Sequence, residues 1–171
     1  MARRTAFLYD DRMSHHVLSD SHPMRPIRLK YTYDLLESYG AFDSDDSHLV
    51  APRLATENEA LSYHTPEYIE AVRAIGAGEQ SANPAAHNFG TGDNPPYEGM
   101  YEAAMLSTGS AVQAAEMLIS GEVDAAFSIS GGLHHAMPNY AYGFCVFNDP
   151  VIAIKRFLAE GMRVAYVDID C

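Results

Sequence analysis

Residues 123–135 read "VDAAFSISGGLHH" and residues 163–170 read "RVAYVDID"; between them runs "AMPNYAYGFCVFNDPVIAIKRFLAEGM". A short apolar run, a glycine-led loop, a helical pattern and a second apolar run spell strand, loop, helix, strand. That order is a βαβ unit, whose strands lie parallel with a right-handed crossover. The fold class read from it is α/β. In open α/β sheets, ligands bind beyond the carboxyl ends of the strands. His134, His135, Asp168 and Asp170 are therefore expected on one rim.

Working outward, "RTAFLYD" (4–10) reads as a buried strand. A helix follows, entered through Pro23 and Pro26 and stopped near Gly40, with Ile27, Tyr31, Leu35 and Tyr39 recurring every four residues. "HLVAPRLA" (48–55) reads as a second strand, which Pro52 makes short or places at an edge. "TENEALSYHTPEYIEAVRAIG" (56–76) opens with a Thr cap and an acidic turn and holds two helical pieces divided near Pro66. Residues 76–99 form a long loop rich in Gly, Pro and Asn, a class that is usually functional when ordered. An Ala-rich helix then runs to Gly121. The expectation is one domain with about four strands and no repeat or linker.

The 171 residues are 47% hydrophobic and 20% charged, enough for one core. The formal net charge of −12 argues against non-specific grip on nucleic acid, which needs clustered Lys and Arg. No apolar run reaches the roughly 18 residues that span a bilayer, and the N-terminal run is too short for a signal peptide. Cys145 and Cys171 make no disulfide framework. A cytoplasmic protein without membrane or nucleic-acid partners is expected, its oligomeric state open.

Asp168 and Asp170 stand two apart, so on a strand they share a face. Behind the apolar "VAYV" they should be buried, and paired buried carboxylates invite a cation. Equally, they suit a solvated strand end or a cap for a following helix. His134 and His135 could divide general-base and general-acid roles if the backbone bends after Gly131–Gly132. The pair also suits plain solvation, as does His15–His16. Asp93, before Asn-Pro, reads first as a turn residue. Phe144 and Cys145 read as core, and Arg28 as a solvated helix face.

Together, "HPMRPIRLKYTYDLL" (22–36), "YHTPEYIEAV" (63–72), "GTGDNPPYEGMYEAAMLSTGSAV" (90–112), "SGGLHHAMPNYAYGFCVFND" (130–149) and "RVAYVDID" (163–170) resemble the histone deacetylase superfamily, in particular its bacterial acetoin-utilisation branch. The resemblance implies a three-layer α/β/α arginase/deacetylase fold with an eight-stranded parallel sheet. It implies a metal-dependent amidohydrolase that removes an acetyl group from an N-acetyl-lysine-type substrate, on a protein or a small acetylated amine. Carried over motif by motif, Asp170 is a metal ligand and His134 and His135 are the acid/base pair. Asp168 orients His134, with a structural potassium ion nearby. Asp93 holds the substrate backbone, Gly143 and Phe144 line the acyl-lysine tunnel, and Arg28 lines an internal cavity. Zinc is the implied metal, and the oxygen-rich ligation also suits Fe(II).

In the family, the "DID" motif continues into a His-His-Gly-Asp segment that carries a further metal ligand, and a second aspartate ligand and a tyrosine come later. Residues 1–171 are therefore expected to be the N-terminal half of a single deacetylase domain, truncated and inactive alone. The alternatives are a non-catalytic fragment, or an acetylpolyamine amidohydrolase whose polycationic substrate would suit the acidic surface.

Overall fold

The computed structural model describes residues 3–15, 18, 22–90 and 92–170. His16 and Cys171 lie outside them, and Cys145 is a free, buried thiol. The first strand, β1 (Thr5–Leu8), alternates in burial, with Ala6 and Leu8 inside. It is the centre of a three-stranded parallel sheet, with β2 (Ser47–Val50) on one side and β3 (Ala125–Ser128) on the other. Thr5 sits level with Ser47 and Ala125, so the strands end together at Leu8, Val50 and Ser128. β2 is short and at an edge, as Pro52 required.

Helices lie on both faces. Ala6 and Leu8 meet Ala114 and Met117 of α4 (Met100–Ile119). On the opposite face Phe7 stacks on Phe127 and tilts against Phe42, while Tyr33 of α1 (Ile27–Ser38) stacks on Tyr9 at 4.4 Å. The stripe Ile27, Tyr31, Leu35, Tyr39 faces solvent, at 37–78% exposure, and Leu29 is the buried residue of α1. Leu29 and Tyr33 have the same spacing of four, so periodicity offered two faces and packing chose the shorter one.

Thr56 and Glu59 form a reciprocal capping box at the start of α2 (Glu57–Leu61), with Glu59 N donating to Thr56 Oγ1 and Thr56 N to the Glu59 carboxylate. Thr65 caps α3 (Pro66–Gly76), so the division at Pro66 is observed. α3 packs Tyr68, Ile69 and Val72 against Met100, Ala104 and Met105 of α4 in the largest apolar cluster. Fully buried Tyr68 donates its hydroxyl to Val146 O at 2.7 Å. The segment before α2 crosses α4 so closely that a Cβ on Gly109 would lie 2.1 Å from Arg53 O; Ala55 N donates to Met105 O at this crossing.

The expected final strand does not form. α5 (Asp149–Ala159) packs on α4 as the crossover helix, but residues 162–170 are exposed and pair with no strand among the described residues. The sheet has three strands there rather than about four. Strand composition is local, whereas a strand exists only through a backbone neighbour. Val164, Tyr166, Val167 and Ile169 are all exposed, so Asp168 and Asp170 are not buried behind them. No helix among the described residues is long and apolar enough to cross a membrane.

Candidate active site

β3 ends at Ser128 and releases the loop 129–148, which carries the histidine pair. Gly132, at φ +91°, turns the chain so that consecutive side chains converge. The rings of His134 and His135 lie 3.9 Å apart, with their planes at 55°. His134 Nδ1 donates to Gly132 O at 3.2 Å, leaving Nε2 to face Asp168 and Asp170, each with a carboxylate oxygen at 3.6 Å. His135 Nε2 donates to Asp170 Oδ2 at 3.2 Å. Asp168 thus lies beside His134 at ion-pair range, beyond hydrogen-bond length. Asp168 accepts from Asp170 N at 3.0 Å and Tyr166 OH at 2.9 Å, which hold its carboxyl below its usual pKa.

The two histidines and Asp170 each place one donor atom within 4.8 Å of the others. Two imidazole nitrogens and a carboxylate oxygen are the donor classes that zinc and Fe(II) accept. Asp170 therefore offers such an ion one carboxylate donor, with both imidazoles close beside it.

Gly143 forms the wall beside His135. Its φ is +51°, and a Cβ there would sit 2.5 Å from His135 Cδ2, so only glycine lets the backbone lie against the ring. Phe144 is also left-handed, at φ +69°, which costs a bulky residue about 1–3 kcal/mol. Its ring meets buried His22 edge-on at 4.7 Å. His22 Nδ1 accepts from Met24 N, and its Nε2 donates to Asp93 O at 3.2 Å. His22 thus links Phe144 to the Asp93 loop. Asp93 itself is exposed and borders a shallow surface depression with Asn88, Asn94 and Tyr142. Exposed Arg28 lines a cavity of about 60 Å³ with Met13, Leu133 and Phe144. Cys145 lies behind this wall, its thiol donating to Gly143 O and pushed by burial up to about 11.

Buried Asp149 accepts from Gly132 N at 3.0 Å and Leu133 N at 2.9 Å, and burial raises its carboxyl to about 6. Buried His64 accepts from Asn148 N and donates to Met137 O; burial lowers it to about 4, so it is a neutral structural residue. Sequence reasoning assigned no site role to His22, His64, Asn148 or Asp149. Asn-Asp-Pro at 148–150 is legible as a helix start, and that was the one available signal.

Residues 22–171 match the histone deacetylase domain model. The chain belongs to the histone deacetylase family. It is 39% identical over 170 residues to the acetoin utilization protein AcuC of Bacillus subtilis, covering 98% of this chain and 43% of that protein. It is 36% identical over 171 residues to human Histone deacetylase 1, covering 98% of this chain and 35% of that protein. A crystal structure of an HDAC homolog from Aquifex aeolicus superimposes with a TM-score of 0.81 at 27% identity, over 93% of this chain and 42% of that one. The chain thus spans about two-fifths of the length of such relatives. The α/β histone deacetylase fold and the likeness to the acetoin-utilisation branch, both expected from the motifs, are found. Within this family member His134, His135, Gly143, Asp168 and Asp170 come together from three separate stretches of chain, while Phe144 and the Asp93 backbone are joined to each other through His22.

Proposed function

We propose that the protein acts as a metal-dependent deacetylase on an N-acetyl-lysine-type substrate. The observation that carries this reading is the convergence of His134, His135 and Asp170 beyond the end of β3, in a chain that matches the histone deacetylase domain from residue 22 onward. Zinc, or Fe(II) in its place, would be held through Asp170; when bound, it supplies polarisation of the carbonyl and acidification of water. His134 and His135 would then hold and move protons. The neutral imidazole of one accepts a proton from water, and the protonated imidazole of the other donates to the leaving amine. Asp168 orients His134, and a potassium ion nearby is part of the same reading. Gly143 and Phe144 wall the passage for the acyl-lysine chain, Asp93 holds the substrate backbone, and Arg28 borders the internal cavity. The formal charge of −12 favours a second substrate class, an acetylated polyamine, whose remaining amines are cationic. A cytoplasmic setting belongs to the same proposal.

The test is hydrolysis of an acetyl-lysine peptide and of an acetylpolyamine by the intact protein and its His135→Ala variant; no hydrolysis of either by the intact protein would refute the reading. Loss of a general acid or base lowers the rate about 10²–10⁴-fold. Near-normal turnover by the variant would remove His135 from the mechanism, and preference for the polyamine would reassign the substrate.

A further inference from the structure

The loop bearing the histidine pair pairs with itself only at the isolated bridges Met137–Tyr140 and Tyr142–Cys145, so the carbonyls of His134 and Ala136 must find other partners. They find them at the start of α5. Asn148 Nδ2 donates to His134 O at 2.8 Å and to Ala136 O at 2.9 Å, the carbonyls on either side of His135. Asn148 Oδ1 accepts from Val151 N at 3.1 Å and caps α5. The backbone N of Asn148 donates to His64 Nε2 at 2.9 Å, and His64 Nδ1 donates to Met137 O at 3.1 Å. Asn148 is 3% exposed and His64 2%, so these bonds form out of water, where losing one costs most.

The two halves of the Asn148 amide do different work. A helix cap needs only an acceptor, and Asp or Ser would serve as well as Asn. The amino group has no part in the cap, and both of its donors go to the loop. An acid at this position could not make those two bonds, because an ionised carboxylate only accepts.

We propose that Asn148, seated by His64, is a positioning residue for the His134–His135 pair: it fixes the backbone from which both imidazoles project. Its consequence for catalysis rests on the deacetylase reading above, while the positioning itself does not. An imidazole carried on a loosened loop loses the sub-ångström placement that proton transfer requires.

The experiment records imidazole and amide NMR spectra of residues 1–171 as the unaltered chain, Asn148→Asp and Asn148→Ser. Asp keeps the cap and size but sets a carboxylate against two carbonyls; Ser keeps a cap without that charge. In both variants the imidazole signal of His48 on β2 and the amide signals of the last turn of α5 are expected to stay in place, since neither touches Asn148 or the histidine loop. The His134 and His135 imidazole signals are expected to move or to split into several forms. His134 and His135 signals at unaltered positions in either folded variant would overturn the proposal. A role confined to capping α5 would leave them there. Failure of the deacetylase reading would appear separately, as no hydrolysis of either acetylated substrate by the intact protein with the NMR result unchanged.

Discussion

Acid should unfold this protein partly through one histidine that takes no part in the proposed chemistry. His64 is buried against Tyr68 and Phe147, and its pKa falls from an ordinary 6.5 to about 4 because burial penalises the charged ring. Between those values the unfolded chain binds the proton and the folded one does not, so stability rises with pH across the window. The contribution is whole above 6.5 and is lost as pH falls toward 4. Linkage gives a loss of about 2 kcal/mol from pH 7 to pH 5, levelling at about 3 kcal/mol below pH 4. Asp149 acts in the opposite sense. Its carboxyl is raised from 3.8 to about 6, so the folded state binds the extra proton and is favoured as pH falls through that range. Unfolding of the parent chain alone would mix the two. The informative quantity is the difference between the parent and His64→Gln, which keeps an acceptor and a donor but does not titrate. Urea unfolding at intervals from pH 7 to pH 4 should show that difference shrinking by about 2–3 kcal/mol. Parallel stability curves would refute the reasoning and would mean that His64 is protonated in the folded state.

Gly143→Ala should cost about 2–4 kcal/mol in thermal or urea unfolding, from the positive φ and from the overlap of a Cβ with the His135 ring; a variant as stable as the parent would show that the ring swings aside freely. Asp93→Ala should change stability by less than about 0.5 kcal/mol, because its side chain is exposed and His22 binds its carbonyl. The same variant should weaken binding of an acetyl-lysine peptide and leave metal content unchanged, and metal depletion would make Asp93 a ligand or its support. Calorimetric titration of residues 1–171 with zinc should show weak binding, since a catalytic zinc usually takes three protein ligands and the family pattern assigns only Asp170 in this stretch. Tight one-to-one binding would instead make His134 and His135 ligands alongside Asp170.

Much of the architecture was written in local chemistry. Thr56 with Glu59, Thr65 with Pro66, and Gly40 after the first helix marked helix ends by satisfying or releasing backbone groups, a matter of a few neighbouring residues. The apolar run "RTAFLYD" marked a buried strand and Pro52 a short or edge strand by the same local means, while the central place of β1 came from its pairing. The motif residues around His134, His135 and Asp170 were legible because their types and order are specific. What the sequence could not decide were choices between equivalent local options and partnerships across the chain. Ile27 and Leu29 begin stripes of equal spacing, and only contact with Tyr9 and Phe42 determined that Leu29 and Tyr33 face inward. "RVAYVDID" has the makings of a strand, yet strand formation requires a neighbouring backbone, and its carboxylates reach the histidines from solvent instead. His64, Asn148 and Asp149 lie 84 residues or less from their partners in sequence but are joined only by folding, which brings the turn before α3 and the start of α5 against the histidine loop. Periodicity and capping act over a turn or two of chain. Hydrogen bonds among buried groups far apart in sequence exist only once the core that excludes water from them has formed.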